Sequence, residues 1–352
     1  MTDSLLVTGT EESIGKTGIA LALARLASED GASVGYMKPK GTRLESNVGK
    51  TLDADPMLAR ELLELDEEMH ELEPVVYSPT FVQQAIRGRE NPDDVADRVR
   101  EAYEDIAAER DLVLVEGGGG PATGSVIDLT DRDVADLLDA SVVLVAGYEE
   151  PWDVDETLAY AESLGNRLAG VVFNGVVDGA FDDLETDVLP FLEGRGIPVL
   201  GVVPRVQELA GVTVGDLATE LGAELLTDGG TDEYVERFSV GAMGADAALK
   251  QFRRTRDAAV ITGGDRTEIQ TAALEAPGVK CLILTGGHRP PGALLGKATE
   301  KGVPVMVVQS DTLTTVDRAD AVVRSGRARD ARTVDTVQGL LEAHVDVSAL
   351  LP

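Results

Sequence analysis

The sequence predicts an α/β protein, with a doubly wound, mostly parallel sheet followed by a second, smaller α/β domain. Three observations support this prediction. Short apolar runs alternate with amphipathic segments over the first part of the chain, a glycine-bounded loop joins the first run to a helical stretch, and a second alternation begins after Pro204. Near-continuous apolar strands separated by amphipathic helices are typical of a parallel sheet covered on both faces.

The first region contains apolar or β-branched runs that predict strands, and segments with a period near 3.6 that predict helices between them. The predicted strands are Leu5–Thr8, Ser33–Met37, Leu112–Val115, Ser141–Ala146, Gly170–Phe173 and Val199–Val203. The predicted helices are Ile19–Leu26, Met57–Leu65, Val95–Ala107, Val154–Leu164 and Leu184–Leu192. Right-handed crossovers between such strands place ligands outside the carboxyl ends of the strands.

The second region repeats this pattern on a smaller scale. The predicted strands are Ala259–Thr262, Val279–Leu284 and Val303–Val308. The predicted helices are Val212–Leu221, Asp246–Phe252, Glu268–Leu274, Gly292–Lys301 and, near the end of the chain, Thr333–His344. We therefore expect a first domain over residues 1–205, a second over 206–323, and a C-terminal charged segment and helix over 324–352.

The loop after the first predicted strand has the residue types of a phosphate-binding loop. Its glycines allow the backbone to approach phosphates, and the N–H groups at the following helix N-terminus attract an anion. Lys16 supplies a positive charge for the β- and γ-phosphates, and the Thr17 hydroxyl can ligate Mg²⁺. The residues expected to hold the nucleotide in this loop are Gly9, Thr10, Gly15, Lys16, Thr17 and Gly18.

Polar residues at other strand and helix ends are candidates for the same site. Lys38 follows the second strand, Glu116 the third and Asn174 the fifth, while Asp55 opens a helix after Asp53. Carboxylates suit Mg²⁺, and an Asn amide can pair with the edge of a purine. The alternatives are a solvated strand end for Lys38, a helix cap for Asp55 and a turn for Asn174.

Four consecutive glycines, residues 117–120, follow Glu116. Glycine has no Cβ, so a backbone made of it can pass close to another group. We interpret this run as a place where the backbone lies against a substrate.

Charge and composition exclude several classes of protein. The formal net charge of −32 argues against direct binding to nucleic acids or acidic membranes, whose phosphates would be repelled. The acidic residues are dispersed, and only eight of the 31 basic residues are lysine, which is typical of a protein from a high-salt cytoplasm. The apolar runs are too short to span a bilayer and no secretion signal is visible, so we expect a cytoplasmic protein.

The first 205 residues resemble the dethiobiotin synthetase family of P-loop proteins. The resemblance rests on the phosphate loop and on Lys38-Pro39, Asp55, Glu116-Gly117, Asn174 and residues 198–204. It implies that Lys16 and Lys38 contact phosphate and the developing negative charge, and that Asn174 recognises the adenine of ATP. The Mg²⁺ ligands that it implies are Thr17, Asp55 and Glu116.

The second region resembles the DRTGG domain, through residues 261–266 and 284–287. The two domains in this order are similar to the N-terminal half of long bacterial phosphotransacetylases. The acetyl-transferring domain of those enzymes has no counterpart in this sequence, so we expect no complete phosphate acetyltransferase.

The sequence departs from the dethiobiotin enzymes after the Lys-Pro pair, where it has Lys40-Gly41-Thr42-Arg43 in place of small hydroxyl residues. This change is expected to alter the pocket for the acyl substrate. Three functions stay open: an ATP- and Mg²⁺-binding accessory or regulatory protein in acetyl-phosphate or acetyl-CoA metabolism, an ATP-dependent ligase or carboxylase of the dethiobiotin synthetase type, and a structural subunit without turnover. We expect a homo-oligomer and a partner enzyme of acyl-CoA or acyl-phosphate metabolism.

Overall fold

The computed structural model describes residues 2–42, 44–47, 50–325 and 330–351, and these residues form two compact units. The first unit contains the described residues up to Arg205 together with those from Asp330 onward. The second unit runs from Val206 to Ser325. None of the helices in these ranges is long and apolar enough to cross a membrane.

The sheet of the first unit consists of parallel strands. In chain order they are β1 (Asp3–Gly9), β2 (Val34–Met37), β3 (Leu112–Glu116), β4 (Ser141–Ala146), β5 (Leu168–Val176) and β6 (Val199–Pro204). Their order across the sheet is β6-β5-β4-β1-β3-β2, and the neighbouring strands pair in parallel. The chain moves outward to β2, returns to β3 and passes over β1 to β4, which confirms the predicted doubly wound sheet.

Helices cover the faces of this sheet. The α-helices are Lys16–Glu29, Ala54–Leu62, Met69–Leu72, Pro79–Ile86, Pro92–Ala107, Asp131–Leu137, Asp153–Leu164, Asp178–Asp183, Leu189–Glu193 and Ala331–His344. Shorter 3-10 or π segments are Ser125–Ile127, Gly165–Arg167, Leu184–Val188 and Val347–Ala349. Helix Pro92–Ala107 shows how the sequence builds them: Asn91 caps its first turn, and Val95, Val99, Ala102 and Ile106 form its buried face.

The first helix, Lys16–Glu29, is buried around most of its circumference. One face packs against the sheet, and another is covered by helix Ala331–His344. At this contact Arg25 pairs with Asp335, and Gln338 Nε2 donates to Glu29 Oε2 over 2.8 Å. A helix that is apolar on all sides needs cover on all sides, which the C-terminal helix completes.

A polar segment after β2 forms small strands that the sequence patterns did not predict. Lys40–Gly41 pairs in parallel with Val75–Val76, and Leu44–Asn47 forms an antiparallel hairpin with Lys50–Asp53. Arg43 lies outside the described residues.

The second unit is a smaller α/β domain, as predicted. Its strands are β7 (Glu224–Leu225), β8 (Arg237–Val240), β9 (Ala258–Gly263), β10 (Val279–Thr285) and β11 (Val305–Val307), in the order β7-β11-β10-β9-β8. They are parallel except for β7. Its helices are Gln207–Ala210, Val214–Leu221, Ala245–Phe252, Thr267–Leu274, Gly292–Glu300 and Thr312–Ser325, and a short antiparallel pair joins Val212–Thr213 to Tyr234–Val235.

Alternate residues of β10 point to opposite faces of the second sheet, as the pleat requires. Leu282 and Leu284 belong to one buried apolar cluster, whereas Cys281 and Ile283 belong to the other. The sheet therefore has an apolar core on each side.

Candidate functional site

The phosphate loop connects β1 to the first helix, and its glycines are required by the space around them. A Cβ on Gly9 would lie 2.4 Å from Ile14 Cγ2, and one on Gly15 would lie 2.5 Å from Asn174 Nδ2. Gly15 also has a φ of +101°, in the left-handed region that favours glycine. Asn174 Nδ2 donates to the Ile14 carbonyl over 2.8 Å, so the end of β5 holds the loop in place.

Thr10 and Gly18 flank the loop on its two sides. Thr10 follows β1, and its N–H donates to the Val145 carbonyl on β4 over 3.0 Å. Gly18 is buried in the first turn of the helix, directly after Lys16 and Thr17.

The Lys16 side chain is almost completely buried and points at backbone carbonyls. Its Nζ donates to the carbonyls of Glu11 (2.7 Å), Glu12 (3.0 Å) and Gly119 (2.8 Å). Burial lowers the pKa of this ammonium group, and the charge of Asp131 partly opposes that effect. Lys16 thus bridges the phosphate loop and the glycine run that follows β3.

Glu116, at the end of β3, connects the helix start to β2. Its Oε1 accepts from Thr17 Oγ1 over 2.7 Å, and its Oε2 accepts from Tyr36 OH over 2.6 Å. Burial raises the pKa of Glu116 to about 7, although the neighbouring charge of Lys38 lowers it. Burial also raises the pKa of Tyr36 well above its ordinary value, so Tyr36 remains a hydrogen-bond donor to Glu116.

Lys38 lies among three carboxylates. Its ammonium group pairs with Asp55, lies 2.9 Å from Asp53 Oδ2 and lies 3.7 Å from Glu116 Oε1. Burial lowers the pKa of Lys38, but the three negative charges more than offset this and the pKa is raised above its ordinary value. Lys38 therefore carries its charge at neutral pH, and it joins Asp55 to Glu116.

Glu73 is a site residue that the sequence analysis missed. Its Oε2 accepts from the Asp53 N–H over 2.9 Å, while its Oε1 is buried and has no hydrogen-bond partner among the described residues. The carboxylate fills the space beside Gly41, where a Cβ would lie 1.8 Å from Glu73 Oε1. Burial raises the pKa of Glu73 to about 7. Nothing in its local sequence, an acidic stretch, distinguishes Glu73 from the less buried acidic residues beside it.

A second buried ion pair joins Lys40 to Asp131, and the sequence analysis missed this pair as well. Lys40 is 1% exposed and Asp131 is 2% exposed. The other carboxylate oxygen, Asp131 Oδ2, accepts from Thr8 Oγ1 over 2.6 Å, and Thr8 Oγ1 lies 2.9 Å from Tyr160 OH. Lys40, which was expected to alter an acyl pocket, is thus directed at Asp131.

At three of the four positions of the glycine run, the surrounding atoms leave no room for a Cβ. A Cβ would lie 2.0 Å from Asp131 Oδ2 at Gly117, 2.3 Å from the Lys40 carbonyl oxygen at Gly118 and 2.4 Å from Thr123 Oγ1 at Gly119. Nothing lies within 4 Å of a Cβ at Gly120. The close approach predicted for these glycines therefore includes contacts within the protein itself.

The oxygen donors at the helix start suit Mg²⁺. Thr17 Oγ1 and Glu116 Oε1 are 2.7 Å apart, close to the spacing of about 2.9 Å between adjacent ligands of an octahedral ion with bonds of about 2.0–2.1 Å. The described residues contain no group of three or more His, Cys, Asp or Glu arranged to hold a metal. Mg²⁺ is usually bound through one or two carboxylates, phosphates and water, so this donor set fits it.

The candidate site therefore lies wholly within the first unit, at the carboxyl edge of its sheet. The residues predicted from the sequence that meet there are Gly9, Thr10, Gly15, Lys16, Thr17, Gly18, Lys38, Asp55, Glu116 and Asn174. Tyr36, Asp53, Glu73, Lys40 and Asp131 complete the buried network around them.

Comparisons with known proteins agree with the two-unit organisation. An AAA domain matches residues 3–213, and a DRTGG domain matches residues 216–322. A phosphate acetyltransferase of Pseudomonas putida is 24% identical over 99% of this chain, which covers 51% of that protein. An ATP-dependent dethiobiotin synthetase of Pseudomonas aeruginosa is 31% identical over 58% of this chain, which covers 91% of that protein.

The chain thus spans about half the length of the phosphate acetyltransferase that it matches. Among solved structures, the cell division protein MinD of Aquifex aeolicus matches 59% of this chain and 84% of its own, with 14% identity and a TM-score of 0.38.

Proposed function

Since the chain belongs to the dethiobiotin synthetase-like family of P-loop proteins, with a DRTGG domain after the P-loop domain, we propose that its first unit binds ATP together with Mg²⁺. The observation that most supports this is the position of Lys16. Its buried ammonium group lies at the start of the first helix and is held by three backbone carbonyls, including that of Gly119. Phosphate oxygens would be stronger acceptors for the same ammonium group.

Each surrounding group then has a role. Thr17 and Glu116 would hold Mg²⁺, which neutralises charge on the phosphates. Lys38 would stabilise negative charge that develops beyond the γ-phosphate, and Asp55 would complete the acidic side of the site. Because Asn174 Nδ2 already donates to the loop, its carbonyl oxygen is the atom we propose for the adenine amino group.

We further propose that the chain is an accessory or regulatory protein of acetyl-phosphate or acetyl-CoA metabolism. The likeness to the phosphate acetyltransferase runs through both units, over 99% of this chain. The likeness to dethiobiotin synthetase covers 58%. A regulatory role accounts for a second unit that a ring-closing enzyme of this fold does not need.

The second candidate is an ATP-dependent ligase or carboxylase. A cation buried among three carboxylates is more than nucleotide binding alone requires, and it is the observation that favours this candidate. In the dethiobiotin template a substrate amine takes up CO₂ to form a carbamate, ATP phosphorylates the carbamate, and a second amine displaces phosphate to close a ring. Lys16 and Lys38 would stabilise the carbamate and the transferred phosphoryl group.

Calorimetric titration with ATP and Mg²⁺ tests the first proposal. Lys16→Ala should weaken binding by about 10–100-fold, the effect expected for a charged hydrogen bond, and by more than Lys38→Ala, because Lys38 lies farther from the loop. Lys280→Ala, in the second unit, serves as the control and should bind like the wild type. Equal affinity of the wild type and Lys16→Ala would overturn the assignment.

Two assays then separate the candidate functions. An accessory protein should change its ATP affinity when acetyl phosphate or acetyl-CoA is added, and should form no dethiobiotin from diaminopelargonic acid, bicarbonate and ATP. A turnover of about 1 s⁻¹ or above in the second assay would instead establish the ligase, since this is the ordinary enzymatic range.

A further inference from the structure

We propose that Lys40 and Asp131 are a positioning pair for Lys16. They fix residues 117–119 of the glycine run, and the carbonyl of Gly119 sets the position of the Lys16 ammonium group. This inference rests on the proposed nucleotide binding of the first unit, and it assigns a role to two residues outside the phosphate loop. Three steps connect the pair to Lys16.

The first step is the fixed orientation of Asp131. One of its oxygens pairs with the Lys40 ammonium group, and the other accepts from Thr8 Oγ1 over 2.6 Å. Thr8 lies on β1, directly before Gly9 of the phosphate loop. The carboxylate is therefore tied on one side to the segment after β2 and on the other side to the strand that carries the loop.

The second step is the contact of this pair with the glycine run. The Gly118 N–H donates to Asp131 Oδ1 over 3.3 Å. The space beside Gly117 is filled by the Asp131 carboxylate, and the space beside Gly118 is filled by the Lys40 backbone and side chain. Lys40 and Asp131 thus form the surface on which this backbone lies.

The third step is the carbonyl of Gly119. It accepts from Lys16 Nζ over 2.8 Å, and it is the one acceptor of Lys16 among the described residues that does not come from the phosphate loop itself. Gly119 has a φ of +78°, so the direction of this part of the backbone depends on a conformation that its neighbours must maintain.

A stabilising role alone does not account for the pair. Two charges lose their hydration when they are buried, and apolar side chains of the same volume often give equal or greater stability. An ion pair with further hydrogen bonds does, however, fix direction, because each carboxylate oxygen must face its own partner. We therefore assign the pair a role in orienting the backbone of the glycine run.

The test uses the full chain and four variants: Lys40→Met, Asp131→Asn, the double variant, and Arg110→Met as a control. Arg110 pairs with Glu67 over 2.7 Å in the same unit, away from the loop. Affinities for ATP and for ADP, both with Mg²⁺, are measured by calorimetry, and folding is followed by urea unfolding. The double variant leaves no unpaired charge, so it should fold.

We expect the double variant to bind ATP about 10–100-fold more weakly, by analogy with the range found when the hydrogen-bond partners of metal ligands are removed. ADP binding should fall by less, since Lys16 reaches the γ-phosphate, so the preference for ATP over ADP should shrink. A loss of general stability would lower both affinities alike. Arg110→Met should leave the affinities and the preference unchanged.

Hydrogen exchange adds a measurement that needs no nucleotide. The amides of residues 117–119 should exchange faster in the double variant than in the wild type or in Arg110→Met. If the double variant does not fold, the nearly isosteric Asp131→Asn gives the same comparison.

The inference is overturned if the variant binds ATP within about twofold of the wild type with the same preference over ADP. If the wild type itself binds no ATP, the proposed function fails and this inference fails with it. The wild-type titration therefore distinguishes the two failures.

Discussion

The two units share one plan, a mainly parallel sheet with glycine turns after its strands, but they differ in where they bury charge. Among the described residues, all of the buried charged side chains belong to the first unit: Lys16, Lys38, Lys40, Asp53, Asp55, Glu73, Glu116 and Asp131. Three of the chain's eight lysines are in this set.

The second unit buries neutral polar groups instead. Those described are Ser239, Thr262, Gln270, Thr285 and Thr315. Three of its lysines form ion pairs at the surface: Lys280 lies 2.7 Å from Glu233 and is 29% exposed, and Lys297 and Lys301 pair with Glu275. Both units have glycine turns, so these turns alone do not show which unit contains the candidate site.

The difference teaches that buried charge identifies the candidate site more sharply than glycine content. Removing charged groups from water costs several kcal/mol for each ion, and this is tolerated where partners are closely placed. In the first unit the carboxylates and lysines converge on one sheet edge. The second unit is organised by two apolar clusters, one on each face of its sheet.

The largest expected effect comes from Lys38→Met. This change leaves three buried carboxylates without their ammonium group and should lower the free energy of unfolding of the first unit by about 3–5 kcal/mol. Lys280→Met, the matched change in the second unit, should cost about 1 kcal/mol or less, because that pair is partly exposed. Urea unfolding followed by circular dichroism measures both changes, and the fluorescence of the single tryptophan, Trp152, follows the first unit. Equal losses of unfolding free energy in Lys38→Met and Lys280→Met would contradict the difference between the two units.

The next effect is a pH dependence carried by Glu73. Its pKa is raised from 4.5 to about 7, so the folded state holds the proton more tightly, and the resulting stability, complete below pH 4.5, is lost as pH rises through about 7. Burial also raises the pKa of Glu116 to about 7, and this contributes a decline over the same range, so Glu73→Gln should reduce the decline without abolishing it. The variant should exceed the wild type at high pH by at most about 3 kcal/mol.

Urea unfolding at several values between pH 5.5 and 8.5 checks this prediction. Glu275→Gln is the control in the second unit: hydrogen bonds from Lys297 and Lys301 lower the pKa of Glu275, so its titration lies below the range. A wild type that gains stability toward pH 8.5, with Glu73→Gln parallel to it, would contradict the assignment.

A smaller effect on stability is expected when alanine replaces a glycine of the run, and it should differ between Gly118 and Gly120. Gly118→Ala places a methyl group 2.3 Å from the Lys40 carbonyl and should destabilise by about 1–3 kcal/mol, with weaker ATP binding. Gly120→Ala meets nothing within 4 Å and should stay within about 0.5 kcal/mol of the wild type. Thermal unfolding and calorimetry distinguish them.

Gly264→Ala makes the same test in the second unit, since its Cβ would lie 2.1 Å from the His288 carbonyl. It should lower stability and leave ATP affinity unchanged. Loss of ATP binding in this variant would show that the chemistry is not confined to the first unit.

The smallest expected effect is the dependence of thermal stability on salt, and it applies to both units. With a formal charge of −32, raising KCl from about 0.1 to 1 M shortens the screening length from about 10 to 3 Å and should raise Tm by about 4 °C, near 1 kcal/mol. The buried pairs are screened less, so the cost of Lys38→Met should stay the same at both salt concentrations. A Tm that does not change with KCl would contradict the high-salt interpretation.

Much of the fold was predictable because each strand carries its own signal. The central residues of β1, β3, β4 and β5 form near-continuous apolar runs, which a sheet covered on both faces requires. Strand Arg237–Val240 escaped prediction because its one fully buried residue, Ser239, is polar, so its apolar signal is weak.

The candidate site was predictable where one segment contains the chemistry. Lys16 and Thr17 follow the strand–loop–helix pattern, and Glu116 ends a buried strand beside it. Lys40 and Asp131 were not predictable, because they are 91 residues apart in sequence and meet only through the order of the strands. Asp131 also stands in the first turn of a helix, where the helix dipole favours an acidic residue, so an aspartate there is explained without any further role.

The return of the chain to the first unit has a consequence for loop closure. Helix Ala331–His344 packs on the first helix, so the whole of residues 206–325 lies between two segments of one folded unit. If the second unit unfolds alone, it becomes a tethered loop of about 120 residues, and closing such a loop costs entropy that rises by only about 0.6 kcal/mol for each doubling of length. The insertion can therefore vary in length at little thermodynamic cost, whereas a cut after Arg205 removes the helix that packs on the first helix beside Arg25 and Glu29.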